Sequence, residues 1–199
     1  MEREDRNWNR YHEKTKYAKE HELLNEFIKK YKGNKNAVDL GCGAGRDTIY
    51  LIKNGWNVLG IDATNSENTV REQLDKEEQK HFKFQQSNFE NIEIPKTEVI
   101  ISFFSLSFCD RNLFNDFWNK IVYAIKDGGY LICNIFGTKD EWNNNKSNKT
   151  FLSREEIEEK LSNFYIEKLE EVEKIAMTAE GKEKRWNYFN IVAKKQNQK

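Results

Sequence analysis

Cysteine is scarce in this chain of 199 residues. Cys42, Cys109 and Cys133 are the only three, and they lie far apart in the sequence. Because neither a C-x-x-C pair nor a Cys/His cluster is present, the sequence predicts no metal site and no iron–sulfur radical enzyme. This cysteine usage is typical of a reduced, cytoplasmic protein, which is our expectation here.

A net charge is also absent, since 33 Lys and Arg residues balance 33 Asp and Glu residues. Proteins that bind duplex nucleic acid usually carry a basic excess, so no nucleic-acid partner is expected, although a local basic patch stays open. No apolar run approaches the length of a membrane span, and residues 2–6 are all charged. The sequence therefore predicts neither a membrane segment nor a signal peptide.

Glycine, in contrast, is concentrated in one stretch near the start of the chain. A short apolar strand is predicted at residues 38–40, a turn with alternating glycines at residues 41–45, and a helix at residues 46–54. A second strand at residues 56–61 ends at Asp62. A glycine turn between strand and helix presents backbone N–H groups to a ligand, and a carboxylate at the tip of the second strand can bind ribose hydroxyls. The stretch predicts a site for an adenine nucleoside or nucleotide.

The glycine spacing distinguishes between two kinds of cofactor. The run AVDLGCGAGRDTIY has the form G-x-G-x-G, whereas dinucleotide-binding loops have G-x-G-x-x-G. It resembles motif I of class I S-adenosylmethionine (SAM) dependent methyltransferases, and Asp62 falls where that family has its ribose-binding acid. The resemblance implies SAM as the cofactor, bound by Asp39, Gly41, Cys42, Gly43, Gly45, Asp62 and Ala63. A nicotinamide or flavin nucleotide, or a glycine turn that merely closes a strand–helix unit, stays open.

The rest of the chain alternates between predicted strands and helices. The further strands are at residues 82–86, 97–104, 130–136, 165–172 and 187–193, and the helices are at 65–80, 113–125 and 153–161. The resemblance implies one α/β domain over residues 1–199, with a doubly wound, Rossmann-like sheet of seven strands. Its strand order is 3-2-1-4-5-7-6, with the last strand antiparallel. Residues 34–199 form the core of this domain, and residues 1–33 form a helical lid.

One or two helices are predicted at residues 8–31, ahead of the first strand, with Gly33 as the C-terminal cap. In the family this segment often folds over the cofactor. The resemblance therefore implies that Tyr11 or Trp8 covers SAM and that Arg10 pairs with its carboxylate. The alternative is that these aromatic side chains only anchor the helix to the body of the protein.

The adenine side of the site is expected just after the third strand. Asn88 and Phe89 stand there, and they match the family in residue type. The resemblance implies that the amide of Asn88 reads the edge of the adenine and that Phe89 packs near the ring. A turn asparagine and a core phenylalanine are the alternative.

The acceptor side is expected at and just after the end of the fourth strand, at the switch point of the sheet, where doubly wound folds bind ligands. The expected residues are Ser102, Phe103, Ser105 and Leu106, with Phe103 also facing the cofactor. No general base is evident, because His12, His21 and His81 are isolated, and the last two are expected to be solvated at helix ends. A thiol or selenol acceptor, already anionic near neutral pH, needs no base.

The scarcity of proline narrows the range of possible methyl acceptors. Methyltransferases that act on bases use an Asn/Asp-Pro-Pro-aromatic loop or a Pro-Cys pair, and the single proline, Pro95, is followed by Lys96. A small-molecule acceptor is therefore favoured, for a monomer or homodimer. Residues 41–51 are most similar to the small methyltransferases of the tellurite-resistance and thiopurine type, which methylate soft sulfur, selenium or tellurium nucleophiles. A SAM-binding regulator or partner subunit without turnover, and a nicotinamide-dependent oxidoreductase, stay open.

Overall fold

The structure is a computed structural model that describes residues 8–144 and 146–197. The helices of this part are α1 (Trp8–Thr15), α2 (Glu22–Lys30), α3 (Arg46–Lys53), α4 (Glu67–Arg71), α5 (Phe114–Ala124) and α6 (Arg154–Lys160). The strands are β1 (Asn36–Leu40), β2 (Asn57–Asp62), β3 (Phe82–Gln86), β4 (Thr97–Ser102), β5 (Ile125–Phe136), β6 (Phe164–Met177) and β7 (Glu183–Lys195). Each helix in these ranges is too short or too polar to cross a membrane.

All of these strands join one sheet in the order β3-β2-β1-β4-β5-β7-β6. Neighbouring strands from β3 to β5 pair in parallel, while β7 runs antiparallel to both β5 and β6. The predicted doubly wound sheet and its strand order are thus confirmed. Because the order reverses between β1 and β4, the carboxyl ends of these strands flank the crevice where such sheets bind ligands.

Helices cover both faces of the sheet and divide the core into two apolar clusters. On one face, Leu24 of α2 and Leu51 of α3 are fully buried. On the other face, Ile121 of α5 and Ile157 of α6 are fully buried. Alternate residues of β4 contribute to both clusters, which explains why that strand is apolar almost throughout.

The prediction of a helix over residues 65–80 is largely wrong. Only the five-residue α4 and a 3-10 turn at Glu78–His81 are helical. The carboxylate of Asp75 instead accepts hydrogen bonds from the N–H groups of Glu77 and Glu78, at 2.9 and 2.8 Å. Bonds of this kind compete with the helical ladder, so Asp75 forms a turn where the polar pattern had indicated a continuous helix.

Helix α2 ends earlier than predicted, with Tyr31 rather than Gly33 as its C-terminal cap. The ring of Tyr31 packs against Trp56 and Tyr130, and its hydroxyl donates to the carbonyl oxygen of Asn34 at 3.0 Å. These tertiary contacts hold Tyr31 in an extended conformation and end the helix there.

Candidate active site

The loop between β1 and α3 turns through three glycines in the left-handed region. Gly41, Gly43 and Gly45 have φ angles of 74, 51 and 87°, which residues with a side chain rarely adopt. The N–H groups of Gly41 and Cys42 donate to the carbonyl oxygen of Ile61, at 2.7 and 3.2 Å. This glycine loop, residues 41–45, is thereby fastened to the carboxyl end of β2.

Gly41→Ala is expected to disturb the site strongly, because a Cβ at Gly41 would overlap the side chain of Ser105. The left-handed backbone alone costs about 1–2 kcal/mol for a non-glycine residue. Gly181→Ala is the matched control, since Gly181 has a φ of 82° and nothing within 4 Å of its Cβ position. Urea unfolding should show a clearly larger loss in the free energy of unfolding for Gly41→Ala than for Gly181→Ala. Equal losses would contradict the close packing of Ser105 on the glycine loop.

Asp62, the expected ribose-binding acid, is joined to the glycine loop by a hydrogen bond. Its Oδ2 accepts from the N–H of Gly43 at 2.9 Å. Its Oδ1 accepts from the N–H and the hydroxyl of Thr64, at 2.9 and 2.7 Å. The side chain remains partly exposed at the tip of β2. The carboxylate is therefore held in a fixed orientation and still reaches the surface of the crevice.

Asp39 lies inside the protein beneath the glycine loop. It is 3% exposed, and its Oδ2 accepts from the hydroxyl of Thr48 at 2.7 Å. Burial, followed by the nearby charge of Asp47, raises the pKa of Asp39 to about 7. Asp39 supports the loop from below and does not line its surface.

The raised pKa of Asp39 predicts that stability falls as the pH rises through about 7. Between the ordinary pKa of 3.8 and the folded-state pKa of about 7, the folded state binds more protons, so the free energy of unfolding decreases with pH. Asp39→Asn keeps an acceptor for Thr48 and removes this titration. The melting temperature of the variant relative to that of the wild type should be higher at about pH 8 than at about pH 5. Parallel curves would contradict the raised pKa.

Arg46 follows the glycine loop directly and was not among the residues predicted for the site. Its Nε and Nη2 donate to Oδ2 of Asp47 at 2.9 and 2.6 Å, and α3 begins at this residue. Within residues 8–144 and 146–197, its Nη1 has no hydrogen-bond partner. The guanidinium is thus paired with Asp47, and its Nη1 edge can make a further hydrogen bond beside the glycine loop. Its position directly after the last glycine is the signal that could have identified it.

Helix α1 lies across the glycine loop. Trp8 packs edge-on against Phe108 in the segment after β4, with 5.0 Å between ring centroids. His12 is 7% exposed, its Nδ1 lies 3.4 Å from the hydroxyl of Thr64, and a Cβ at Gly43 would lie 3.2 Å from its Nε2. One helix thus spans the site from the acceptor side to the ribose side. His12 is a contact that the sequence did not single out.

The other residues expected in the lid also lie on α1. Tyr11 is half-buried and makes edge contacts with the rings of Trp8 and His12, and Arg10 is exposed. In contrast, α2 buries Leu23 and Leu24 in the core. Among the described residues ahead of β1, α1 is the element that lies across the glycine loop, whereas α2 packs into the core.

The residues expected near the adenine follow β3. Asn88 is exposed, and its Oδ1 accepts from the N–H of Asn91 at 3.1 Å, as in a local turn. Phe89 stacks on Phe117 of α5 with 4.4 Å between centroids. Ala63 is exposed at the end of β2. Asn88 thus forms a turn and Phe89 packs in the core. Asn88 is exposed beside β3.

The acceptor-side residues divide into two groups. Ser102 and Leu106 are fully buried, and the hydroxyl of Ser102 donates to the carbonyl oxygen at the end of β1 at 2.8 Å. These two residues support the segment after β4 from inside. Ser105 is half-buried and packs on the glycine loop, so it lies between the cofactor side and the acceptor side.

The prediction of a solvated His21 is wrong. Its ring stacks on Phe103 with 4.1 Å between centroids and an interplanar angle of 5°. Phe104, next in the chain, has a φ of 53°, and its N–H donates to Oδ1 of the buried Asn134 at 2.6 Å. The sequence contained no sign of this arrangement, which depends on contacts between α2, β4 and β5.

An aromatic cluster borders the acceptor side at the ends of β4 and β5 and the start of β7. Its members are Phe104, Phe108, Phe136, Trp142, Phe151, Trp186 and Tyr188. Lys184 lies inside the cluster, with Nζ 3.7 Å from the rings of both Trp142 and Trp186. It forms an ion pair with Asp140 at 2.6 Å. The pair fastens the loop of residues 137–151 to β7.

The protein's own thiols are not available as nucleophiles. Cys42, Cys109 and Cys133 are free and buried. Burial raises the pKa of Cys109 to about 11 and raises the pKa values of Cys42 and Cys133 well above their ordinary range. In the described ranges, no group of three or more His, Cys, Asp or Glu side chains could hold a metal ion.

This strand order, with a glycine loop after β1 and an acid at the end of β2, is the arrangement of class I SAM-dependent methyltransferases. The chain belongs to the TehB family, because the profile of that family, described as tellurite resistance protein TehB, matches residues 4–185. The resemblance seen in the sequence is thus confirmed. No curated protein sequence matches the chain.

Solved structures show the same fold. TehB from Haemophilus influenzae superposes with a TM-score of 0.75 at 19% identity, over 88% of this chain and 62% of that one. This chain thus spans less than two thirds of that protein. A SAM-dependent methyltransferase from Methanosarcina mazei gives 0.66 at 16% identity, covering 90% and 100%. The 1,6-didemethyltoxoflavin-N1-methyltransferase of Burkholderia thailandensis, with bound 1,6-didemethyltoxoflavin and S-adenosylhomocysteine (SAH), gives 0.65 at 14% identity, covering 88% and 76%.

Proposed function

We propose that this chain is a methyltransferase that transfers the methyl group of SAM to a small-molecule acceptor. The observation that carries the proposal is the 2.9 Å bond from the N–H of Gly43 to Asp62, which joins the ribose acid to the glycine loop. Ser105, from the segment after β4, packs on the same loop. The cofactor side and the acceptor side therefore meet at one edge of the sheet.

The residues at this edge fit SAM. The cofactor carries no phosphate, so the glycines need only allow the loop to pass close to its methionine part. Asp62 offers a carboxylate to the ribose hydroxyls, and the guanidinium groups of Arg10 and Arg46 are candidates for the cofactor's carboxylate. SAM supplies a methyl group on a positively charged sulfur, which becomes a neutral thioether after transfer.

In this proposal the chain binds the cofactor and the acceptor, orients them toward each other and excludes water from the site. Asp62 and the glycine loop fix the cofactor end of the site, and α1 closes over it through Trp8 and His12. Holding the reacting groups at near-attack distance supplies much of the acceleration in a displacement of this kind. No covalent intermediate on the protein is needed, and the buried thiols are not placed to form one.

The acceptor in this proposal is a soft sulfur, selenium or tellurium nucleophile. Membership in a family named for tellurite resistance supports this class. Such a nucleophile is already anionic near neutral pH and reacts without a general base. The buried side chains of Ser102 and Leu106 shape this side of the site only indirectly, while Phe103 and Ser105 lie nearer to its surface.

Incubation with SAM labelled in its methyl group tests the proposed reaction. The acceptors to be supplied one at a time are thiophenol, selenite and tellurite, with duplex DNA as the control. We expect label to move to at least one of the three small molecules and not to DNA. Binding of SAH without transfer to any of them would contradict the proposal and indicate a SAM-binding subunit instead.

Arg10→Ala is expected to weaken SAH binding about tenfold or more, because a charged hydrogen bond is worth about 1.5–3 kcal/mol. The affinity for 5′-methylthioadenosine, which lacks the carboxylate, should not change. Lys14→Ala removes an exposed cation from the same helix and is the matched control. Calorimetric titration of the wild type, Arg10→Ala and Lys14→Ala with each ligand measures these affinities. An unchanged SAH affinity would exclude Arg10 and leave Arg46 as the guanidinium at this position.

A further inference from the structure

His21 is held at the N-terminal end of α2 by three contacts. Its Nδ1 accepts a hydrogen bond from the N–H of Leu23 at 3.2 Å, as an N-cap does. Its own N–H donates to Oδ1 of Asp47 at 2.7 Å. Its ring is parallel to that of Phe103, the first residue after β4. The position and plane of the imidazole are therefore fixed from three sides.

These contacts also determine which ring nitrogen carries the hydrogen. A nitrogen that accepts a hydrogen bond has no hydrogen of its own, so the neutral ring carries it on Nε2. Burial, followed by the charges of Arg46, Lys174 and Lys168, lowers the pKa of His21 to about 4. At neutral pH the ring is therefore uncharged, and Nε2 is a hydrogen-bond donor.

The donor edge of the ring faces away from α2. Nδ1 is turned toward the first turn of that helix, and Nε2 lies on the opposite side of the imidazole. The ring of Phe104 lies 5.9 Å from that of His21, and Phe104 in turn contacts Trp186 and Tyr188 of the aromatic cluster. In the described part of the chain, no residue accepts a hydrogen bond from Nε2. His21 is partly exposed and its Nε2 is not enclosed, so this N–H group is available to donate to a ligand that lies against Phe104.

We propose that His21 binds the methyl acceptor by donating a hydrogen bond from Nε2 to one of its lone-pair atoms. The acceptor class is a small anion that carries a second oxygen, sulfur or selenium atom beside the nucleophilic one. His21 holds the second atom, which leaves the lone pair of the nucleophile directed at the methyl group. The positive charges of Arg46, Lys168 and Lys174 act on His21 and favour an anion at this place. Two of them are already paired with carboxylates, Arg46 with Asp47 and Lys168 with Glu26 and Glu170, so this attraction is partial. This role rests on the proposed methyltransferase function.

Two substitutions distinguish the hydrogen bond donated by Nε2 of His21 from the capping of α2 by Nδ1. In His21→Asn the side-chain oxygen can still cap Leu23, because asparagine is a good N-cap, but no group replaces Nε2–H. In His21→Gln the longer amide carries an N–H group toward the place of Nε2. His81→Asn is the matched control, since His81 is an exposed histidine at the amino ends of β2 and β3, where it contacts Asn57, whereas the glycine loop lies at the carboxyl ends. The readouts are kcat/KM for selenite and for thiophenol, the Kd of SAH, and the melting temperature.

We expect His21→Asn to lower kcat/KM for selenite about tenfold or more, the size of one hydrogen bond to an anion, with an unchanged Kd of SAH. Thiophenol has no second atom beside its sulfur, so its kcat/KM should change little. The melting temperature should fall by a similar amount in His21→Asn and His21→Gln, because both variants lose the ring that stacks on Phe103. His21→Gln should retain more activity than His21→Asn, and His81→Asn should behave as the wild type.

An equal kcat/KM for selenite in the wild type and in His21→Asn would overturn the role of His21 alone. A wild type that methylates thiophenol but not selenite would overturn the proposed acceptor class. A wild type that binds SAH but methylates no acceptor would overturn the proposed function and this role with it.

Discussion

Replacing Asp140 by asparagine is expected to lower the free energy of unfolding by about 3–5 kcal/mol, the usual cost of removing one partner of a buried ion pair. The side chains of Lys184 and Asp140 are 1% and 0% exposed. The substitution would leave the ammonium group of Lys184 enclosed among the rings of Trp142 and Trp186 without its counter-charge. The ring contacts at 3.7 Å offset only part of this loss.

Asp140 also accepts hydrogen bonds from the backbone, which adds to the expected loss. Its Oδ1 accepts from the N–H of Trp142, and its Oδ2 accepts from the N–H of Asn187, both at 3.0 Å. An asparagine side chain can satisfy only one of these donors. The loop of residues 137–151 would therefore loosen from β7, and the aromatic cluster on the acceptor side would lose its support.

Chemical unfolding in urea measures this effect, and two variants serve as controls. Glu77→Gln breaks the exposed Lys80–Glu77 pair, whose side chains are 66% and 80% exposed, and should change stability little. Asp140→Asn combined with Lys184→Met removes both charges and should recover more than half of the loss. A loss in Asp140→Asn no larger than that in Glu77→Gln would mean that water reaches the pair.

Asp62→Ala is expected to weaken the binding of SAH by about 1.5–3 kcal/mol, the range for hydrogen bonds to a charged group. The carboxylate would no longer meet the ribose hydroxyls. Its bond to the N–H of Gly43 would also be lost, so the glycine loop would be less well ordered before the cofactor arrives. Calorimetric titration with SAH measures the change.

The control for Asp62→Ala removes an acidic side chain nearby without touching the loop. Glu93→Ala is suitable, because Glu93 is exposed in the segment between β3 and β4. Asp62→Asn keeps the size of the side chain and one acceptor oxygen, so its affinity should fall between those of the wild type and Asp62→Ala. An unchanged affinity in a folded Asp62→Ala variant would remove Asp62 from the site.

The parts of the fold that the sequence predicted well are those with strong local signals. The three glycines of the loop need a left-handed backbone, and only glycine adopts it readily. The helix predicted at residues 153–161 is α6, and the structure shows the local signal that starts it, a capping box in which Ser153 and Glu156 form both reciprocal bonds. Strand β4 was recognisable because it is buried on both faces. Where the local pattern and the tertiary environment agree, the sequence is sufficient.

The parts that escaped prediction depend on contacts between distant segments. His21 has a polar sequence environment but stacks on Phe103 from another element. Lys184 lies among charged residues in the sequence, yet it is 2% exposed because Asp140 and two tryptophans surround it. Polar residues usually lie at the surface. When a polar side chain is buried by contacts with a distant segment, the local sequence pattern does not predict its burial.

The covering of the cofactor by residues ahead of β1 stays a prediction, and the structure adds the position of α1. The aromatic residues before β1 indicated a lid, and α1 does lie across the glycine loop. His12 also approaches the loop, since its Nε2 would lie 3.2 Å from a Cβ at Gly43. The contact is set by the angle at which α1 crosses the sheet edge, and sequence spacing carries no information about that angle.

The central claim is that the glycine loop and Asp62 bind SAM, and calorimetric titration of the purified chain with SAH tests it most directly. NADH, which requires room for a pyrophosphate, is the comparison ligand. We predict a Kd for SAH in the micromolar range, about −8 kcal/mol, and no heat of binding with NADH. Binding of NADH in place of SAH, or of neither ligand, would contradict the account.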